Sequence, residues 1–253
     1  IKISDALYHN TSLNFLPLLI ARGVVVESIG NFDEYINSYS TELQKALGGL
    51  GGESAYFARR KVQVLAKSLR DKQPSVILDY GSGMGALIPH LREYFPDAQI
   101  WATDVSKLSL EHLQKSYPYV HVFALDEIPP SSCDVVVLSC VMHHIPTPSR
   151  QSVVGSIKQA LKSGGNLCIF EHNPINPVTR KIVSNCIFDE GVELIQKRSL
   201  RTLISGIGGF TTQHAGYFLF FPPRLKAFTP LEAILSWLPL GGQHFGRFTK
   251  TSQ

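Results

Sequence analysis

The chain has 253 residues, 44% of them hydrophobic and 17% charged, with a formal net charge of +4. These are the proportions of an ordinary globular protein, and the length accommodates one enlarged α/β domain, or one domain with a small lid, around a sizeable core. The longest apolar stretch near the start, Leu13 to Ile20, contains Pro17 and is too short to span a bilayer, so no integral membrane segment is expected. Arg22 follows without a small-x-small cleavage pattern, so neither is a signal peptide.

The charge is unevenly placed. From Pro174 onward there are nine Lys/Arg against four Asp/Glu. Solvated helix faces account for that surplus, since no basic run in that stretch exceeds two residues; a mildly basic lid for an anionic substrate or membrane surface is the sharper alternative. The four cysteines, Cys133, Cys140, Cys168 and Cys186, form no C-x-x-C pair, and three sit in or beside expected buried strands, where cysteine packs as a small hydrophobe. A reduced, cytoplasmic protein is expected.

In chain order, residues 1–52 form a polar, glycine-rich lead-in that ends in Gly48-Gly49-Leu50-Gly51-Gly52. Residues Glu53 to Arg70 read as a helix, with Ala58, Val62, Leu65 and Leu69 as its buried stripe. Strands are expected at Val76–Asp79, Ile100–Thr103, Val120–Ala124, Val135–Leu138 and Leu167–Phe170. Helices marked by Leu87, Leu91 and Tyr94, by Leu110, Leu113 and Tyr117, and by Val154, Ile157 and Leu161 alternate with them. The last of these should be capped by Thr147-Pro148 and stopped by Gly164-Gly165. Repeated βα units imply right-handed crossovers and a parallel sheet covered on both faces. Beyond the fifth strand come helical segments near Val178–Cys186 and Val192–Ile204, an aromatic strand Thr211 to Phe221, a helix around Leu231–Leu235 and a last strand near Gln243–Lys250.

The most informative stretch is Val76-Ile77-Leu78-Asp79-Tyr80-Gly81-Ser82-Gly83-Met84-Gly85, an apolar strand ending in an acid and a turn with three alternate glycines. Glycine lets a ligand lie against the backbone, and the following helix start offers N–H groups and a positive dipole end. A dinucleotide fingerprint would space its glycines as G-x-G-x-x-G; here they fall as G-x-G-x-G. The pattern resembles the first motif of class I S-adenosylmethionine-dependent methyltransferases. From about Phe32 to Lys250 the chain is similar to a bacterial small-molecule subgroup of that family, largely uncharacterised. The Glu171–Arg180 loop, Phe220-Phe221-Pro222 and Leu238 to Gln243 carry this likeness. The subgroup often has proline where Ile187 stands.

The resemblance implies a Rossmann-like, doubly wound α/β fold: a seven-stranded sheet, mostly parallel, with a C-terminal antiparallel strand pair. It implies a lead-in at 1–52, a methyltransferase domain over 53–253 and a helical lid at 174–210 within it. It also implies S-adenosylmethionine as cofactor and methyl transfer to an oxygen or nitrogen nucleophile of a small molecule. Asp79, Tyr80, Gly81, Ser82, Gly83 and Gly85 would hold the methionine end and turn; Asp104 and Val105 the ribose; Leu125 and Asp126 the adenine, with Cys140 at the far end of strand four. The family's usual adenine-contacting acid aligns with Ala124 here, so either Asp126 reaches back or backbone groups and apolar contacts hold the ring.

His143 or His144, with Glu171 and His172, are the candidates to orient or deprotonate the acceptor; helical spacing would let only one of the adjacent histidines face the pocket. The alternative for the pair is one capping and one solvated ring. The aromatic residues Tyr35, Tyr39, Tyr56 and Phe57 could close over the cofactor. No ligand-pair spacing supports a metal site, and no metal dependence is expected. A nucleic-acid acceptor is disfavoured by the missing N-P-P-aromatic tetrad and basic face. The acceptor is expected to be small, whether anionic, lipid-linked or sugar-linked, and oligomeric state is left open. A cofactor-binding scaffold without activity, and an NAD(P)-dependent oxidoreductase, are the rival readings.

Overall fold

The computed structural model describes residues 54–252, together with 19–21, 24–26, 41 and 45–46. Tyr35, Tyr39 and the glycine run 48–52 lie outside the described residues. In the lead-in, β1 (Leu19–Ala21) and β2 (Val24–Val26) pair antiparallel.

The body begins with α1 (Ser54–Ser68), whose Ala58, Val62 and Leu65 are buried as the periodicity requires. Then follow β3 (Val76–Tyr80), α2 (Ile88–Tyr94), β4 (Gln99–Thr103), α3 (Lys107–Ser116), β5 (His121–Phe123) and β6 (Cys133–Ser139). The second half holds α4 (Arg150–Ala160), β7 (Leu161–His172), α5 (Pro177–Ser184), α6 (Lys197–Ile207), β8 (Phe210–Phe218), α7 (Glu232–Leu235) and β9 (Gln243–Lys250).

Seven strands form one sheet in the order β5-β4-β3-β6-β7-β9-β8. Strands β3 to β7 run parallel, whereas β9 pairs antiparallel with both β7 and β8. Parallel strands covered on both faces read as continuous apolar runs, and β3 and β6 do. One face packs on α1 and α2 through Leu65, Leu91 and Phe170; the other packs on α4 and α6 through Leu138, Ile157 and Leu200. The chain leaves β3 toward β4 and β5, then returns to lay β6 on the other side of β3. That reversal opens a crevice at the carboxyl ends of β3 and β6, the place where open α/β sheets bind ligands.

Several boundaries differ from the sequence reading, among them the aromatic strand, which ends at Phe218 and not Phe221. Residues Thr147–Ser149 form a 3-10 turn, the Thr147 hydroxyl donates to Glu193 at 2.7 Å, and no side chain caps the start of α4. Helix α4 stops at Ala160, because Leu161 already pairs with Cys133; Gly164 and Gly165 sit in the irregularity between that pair and Val135–Asn166. The second lid helix starts at Lys197, since Arg150 takes the Glu193 carbonyl (3.0 Å) and His244 the Ile195 carbonyl (2.9 Å), which keeps that stretch extended.

Candidate active site

A cavity of about 530 Å³ lies at the crevice, walled by the ends of β3, β4 and β6, by α1, and by residues of the lid. Its floor is the glycine turn. Gly81 and Ser82 donate backbone N–H bonds to the Thr103 carbonyl (2.9 and 3.0 Å), which ties the end of β3 to that of β4. Gly81 has φ +77°, and a Cβ there would stand 2.7 Å from Val141, so only glycine fits. Asp104 accepts from Gly83 N–H (2.7 Å) and Ser106 N–H (2.9 Å), locking the two acid-bearing strand ends together. Helix α3 is capped by Ser106, whose hydroxyl accepts from Ser109 N–H.

Of the expected cofactor-binding residues, Asp79, Tyr80, Gly81, Ser82, Gly83, Asp104, Val105, Leu125 and Cys140 all line this cavity. Gly85 does not: a Cβ there would stand 2.5 Å from Tyr117 and 2.9 Å from Ile88 and Leu113, so its lack of a side chain serves helix packing. Asp126 is exposed and away from the cavity, and the nearby Glu127 carboxylate is occupied by Ala124 N–H at 3.1 Å. The apolar Leu125 is what this segment offers the cavity.

Asp79 is buried, and its Oδ2 has no hydrogen-bond partner among the described residues. Burial pushes its carboxyl up to about 7, with Ser82 and Lys61 opposing and Asp104 adding. Such an acid is suited to a ligand's positive charge, which would supply the missing partner. Lys61, on α1, was not singled out in the sequence. It donates to Ser139 Oγ (2.8 Å) and Cys140 Sγ (3.2 Å) and lines the same cavity. The available signal was a lysine at i+3 from Ala58, on the buried stripe of the helix.

At the far end, Cys140 stands at φ +59°, a rare conformation outside glycine. Burial raises its thiol, but His172 and Lys61 outweigh that and bring it down to about 6. Gln243, from β9, reaches Cys140 Sγ and His172 Nδ1, each at 3.5 Å.

The four catalytic candidates separate into two groups. Glu171 and His143 are buried behind the wall and do not line the cavity. Glu171 accepts from Val141 N–H (3.1 Å), Met142 N–H (2.8 Å) and His143 Nδ1 (2.5 Å), gripping the 3-10 turn Met142–His144. Burial opposes a charge on either partner, yet Glu171 and Asp189 hold the His143 imidazole above its usual range, and His143 holds Glu171 below its own. Both directions favour the charged pair, and the contacts of Glu171 hold the turn rather than reach the cavity.

His144 and His172 do line the cavity. Burial, then the charge of His143, keep the His144 ring below its ordinary value and so neutral. The adjacent rings, expected to diverge, converge on Asp189, whose Oδ1 is 3.3 Å from His143 Nε2 and 3.4 Å from His144 Nε2. These three side chains bring ligand-type atoms within 4.8 Å of one another. Phe57 lines the cavity and meets Tyr56 edge to face, with ring centres 5.3 Å apart.

A sheet of this order, with a glycine turn between two strand-end acids, defines the class I methyltransferase architecture. Residues 78–167 match the family model described as a methyltransferase domain. That segment therefore carries a methyltransferase domain, and the sheet has the fold of solved S-adenosylmethionine-dependent methyltransferases. It is 33% identical over 129 residues to the malonyl-[acyl-carrier protein] O-methyltransferase of Halalkalibacterium halodurans, which covers 46% of this chain and 47% of that relative. It is 28% identical over 155 residues to the carboxy-S-adenosyl-L-methionine synthase of Psychrobacter arcticus, covering 56% and 59%. The chain thus spans about half the length of these curated relatives. A Thermotoga maritima structure, described as a SAM-dependent methyltransferase and possible histamine N-methyltransferase, superposes with a TM-score of 0.61 over 87% of this chain and 98% of that one, at 17% identity.

Proposed function

We propose that the protein transfers a methyl group from S-adenosylmethionine to an oxygen or nitrogen nucleophile of a small molecule. One observation carries the reading: the unpartnered, buried Asp79 carboxylate oxygen and Asp104 face one cavity from neighbouring strand ends, with the glycine turn between them. The donor set fits the cofactor. Asp79 would hold its ammonium, Lys61 its carboxylate, Asp104 its ribose hydroxyls, and Leu125 an adenine face. When bound, the cofactor supplies an electrophilic methyl group on a sulfonium.

The chain's part is to align, dehydrate and deprotonate. His144, neutral on the cavity wall, is the group we assign to accept the proton of the nucleophile. Asp189 would stabilise the imidazolium that forms, and Glu171 with His143 holds the turn that presents the ring. His172 and Gln243 line the acceptor end. The remaining lid, 174–210, contributes Phe188 and Ile182 to the wall, which supports its assignment as the acceptor-facing part of the 53–253 domain. Four free cysteines favour a reducing, cytoplasmic setting, and no helix among the described residues is long and apolar enough to cross a membrane.

Calorimetric titration with S-adenosylmethionine and S-adenosylhomocysteine, with NAD and NADP as controls, tests the reading. Binding of the first pair alone is expected; binding of NAD, or of none, would overturn it. With an acceptor in hand, His144→Ala should lower kcat by about 100-fold or more while cofactor affinity holds.

A further inference from the structure

Six large apolar side chains recur every third residue along the segment after the cavity wall: Leu225, Phe228, Leu231, Ile234, Trp237 and Leu240. All are exposed, Ile234 and Trp237 to 70% and Leu240 to 60%. Residues Pro223–Leu231 form 3-10 turns kinked at Leu225, and α7 followed by a turn continues the segment. The exposure does not come from fraying. On the inner side Glu232 is buried, paired with Arg60 at 2.7 Å and accepting Phe220 N–H at 2.9 Å. Further along, Asn173 holds the Pro239 carbonyl (3.0 Å) and Asn176 the Leu240 carbonyl (2.6 Å). A fastened segment presents this ridge of six apolar side chains outward. Scattered exposed hydrophobes need no explanation, but a contiguous row does.

Two further facts say what covers it. Between residues 222 and 242 the exposed charges are Arg224 and Lys226, while the sole acid, Glu232, is buried in its ion pair. The ridge is also continuous with the cavity: Phe221 lines the cavity and lies 5.8 Å, centre to centre, from the Phe228 ring. Val178, 53% exposed, lines the cavity as well. We propose that this ridge is a membrane-contact surface that seats the mouth of the cavity on an anionic lipid bilayer. Insertion among acyl chains requires apolar area flanked by positive charge, with tryptophan at the headgroup level, and this segment carries all three. Docking does not depend on the methyl-transfer reading; resting on that reading, the ridge places the acceptor in the lipid phase, entering past Phe221.

The test uses the full chain with Trp101→Phe, which leaves Trp237 as the sole tryptophan. Vesicles of phosphatidylcholine, with and without phosphatidylglycerol, are sedimented with it and its emission is recorded. Cosedimentation with the anionic vesicles, a blue shift of Trp237 and weakening by salt are expected. Ile234→Ser with Trp237→Ser should lower partitioning about tenfold or more, measured by sedimentation alone, with calorimetric cofactor affinity unchanged. Arg224→Gln with Lys226→Gln should erase the preference for the anionic vesicles. Absence of cosedimentation, or an unshifted emission, overturns the proposal. So does a dimer by light scattering that the Ile234/Trp237 variant dissolves, which would give the ridge to a second copy. A Trp237 shielded from acrylamide without vesicles would show that the chain covers its own ridge, and also overturns it. Vesicle binding and cofactor binding are read separately, so either can fail alone.

Discussion

Asp79 joins the chemistry of the site to the stability of the fold. Its carboxyl is raised to about 7, chiefly by burial. In the free protein it therefore retains a proton that the unfolded chain gives up near 3.8, and folding stability falls as pH rises between these values. A bound cation favours the carboxylate, so cofactor affinity should rise with pH and level off above about 7. Asp79→Asn removes both effects. Urea unfolding at pH 8 should show the variant more stable by on the order of 2 kcal/mol, while calorimetry shows cofactor binding lost. A variant less stable at pH 8 would mean that the carboxylate has a partner the free protein already supplies. This residue was legible in the sequence because an acid closing an apolar strand before alternate glycines has few other uses. Gly85 and Asp126 were not legible. Gly85 is fixed by the approach of Tyr117, more than thirty residues away; the offset of Asp126 from Ala124 was visible, but not that its side chain stays exposed and outside the cavity.

At the scale of elements, the Met142–His144 turn and the end of β7 form one unit. Glu171 joins them through two backbone N–H groups and the His143 ring. Removing one partner of a buried, hydrogen-bonded ion pair leaves the other uncompensated, so Glu171→Gln should cost about 3 kcal/mol by denaturant unfolding, and His172→Ala far less. Glu171 lies below its ordinary range in the folded protein, so its contribution is present above 4.5 and lost as pH falls. The acid limb of the stability profile should accordingly be shallower in the variant. Equal stabilities of the two variants would show that the clamp contributes little. In the polar loop after β7, which carried the family likeness, Asn176 caps α5 by accepting Thr179 N–H. What each side chain faces was not legible. Glu171 and His172 are neighbours in sequence but point to opposite sides of the wall, and the groups that Glu171 grips lie 28 to 30 residues away. Alternation along a strand says that two neighbours differ, and it does not say which is inside.

For the molecule as a whole, the parallel half of the sheet was legible because buried runs and helical stripes alternate in order. The closing antiparallel pair was expected too, and β9 takes the bounds read for it, Gln243–Lys250. Less legible were the lid boundaries, where side-chain bonds from Thr147, Arg150 and His244 override local helical preference. A ligand that binds only the folded state stabilises it by mass action. At about 100 times its dissociation constant, S-adenosylhomocysteine should add about 2.7 kcal/mol, or several degrees of melting temperature in a chain of this size. NAD at the same concentration should leave the melting temperature unchanged in differential scanning fluorimetry.

The place of β9 between β7 and β8 has a consequence for synthesis. Strand β8 leaves the ribosome before the strand that separates it from β7, so its edge has nothing to pair with until residue 250 has been made. Gln243, which lines the cavity beside Cys140 and His172, arrives on that same late strand. A nascent chain can thus lay down the glycine turn and both acids early, yet it cannot enclose an acceptor until translation has passed β9. Pausing within 219–242 would expose an aromatic, unpaired strand to chaperones, and synonymous codon changes there should alter the folded yield without changing the finished protein.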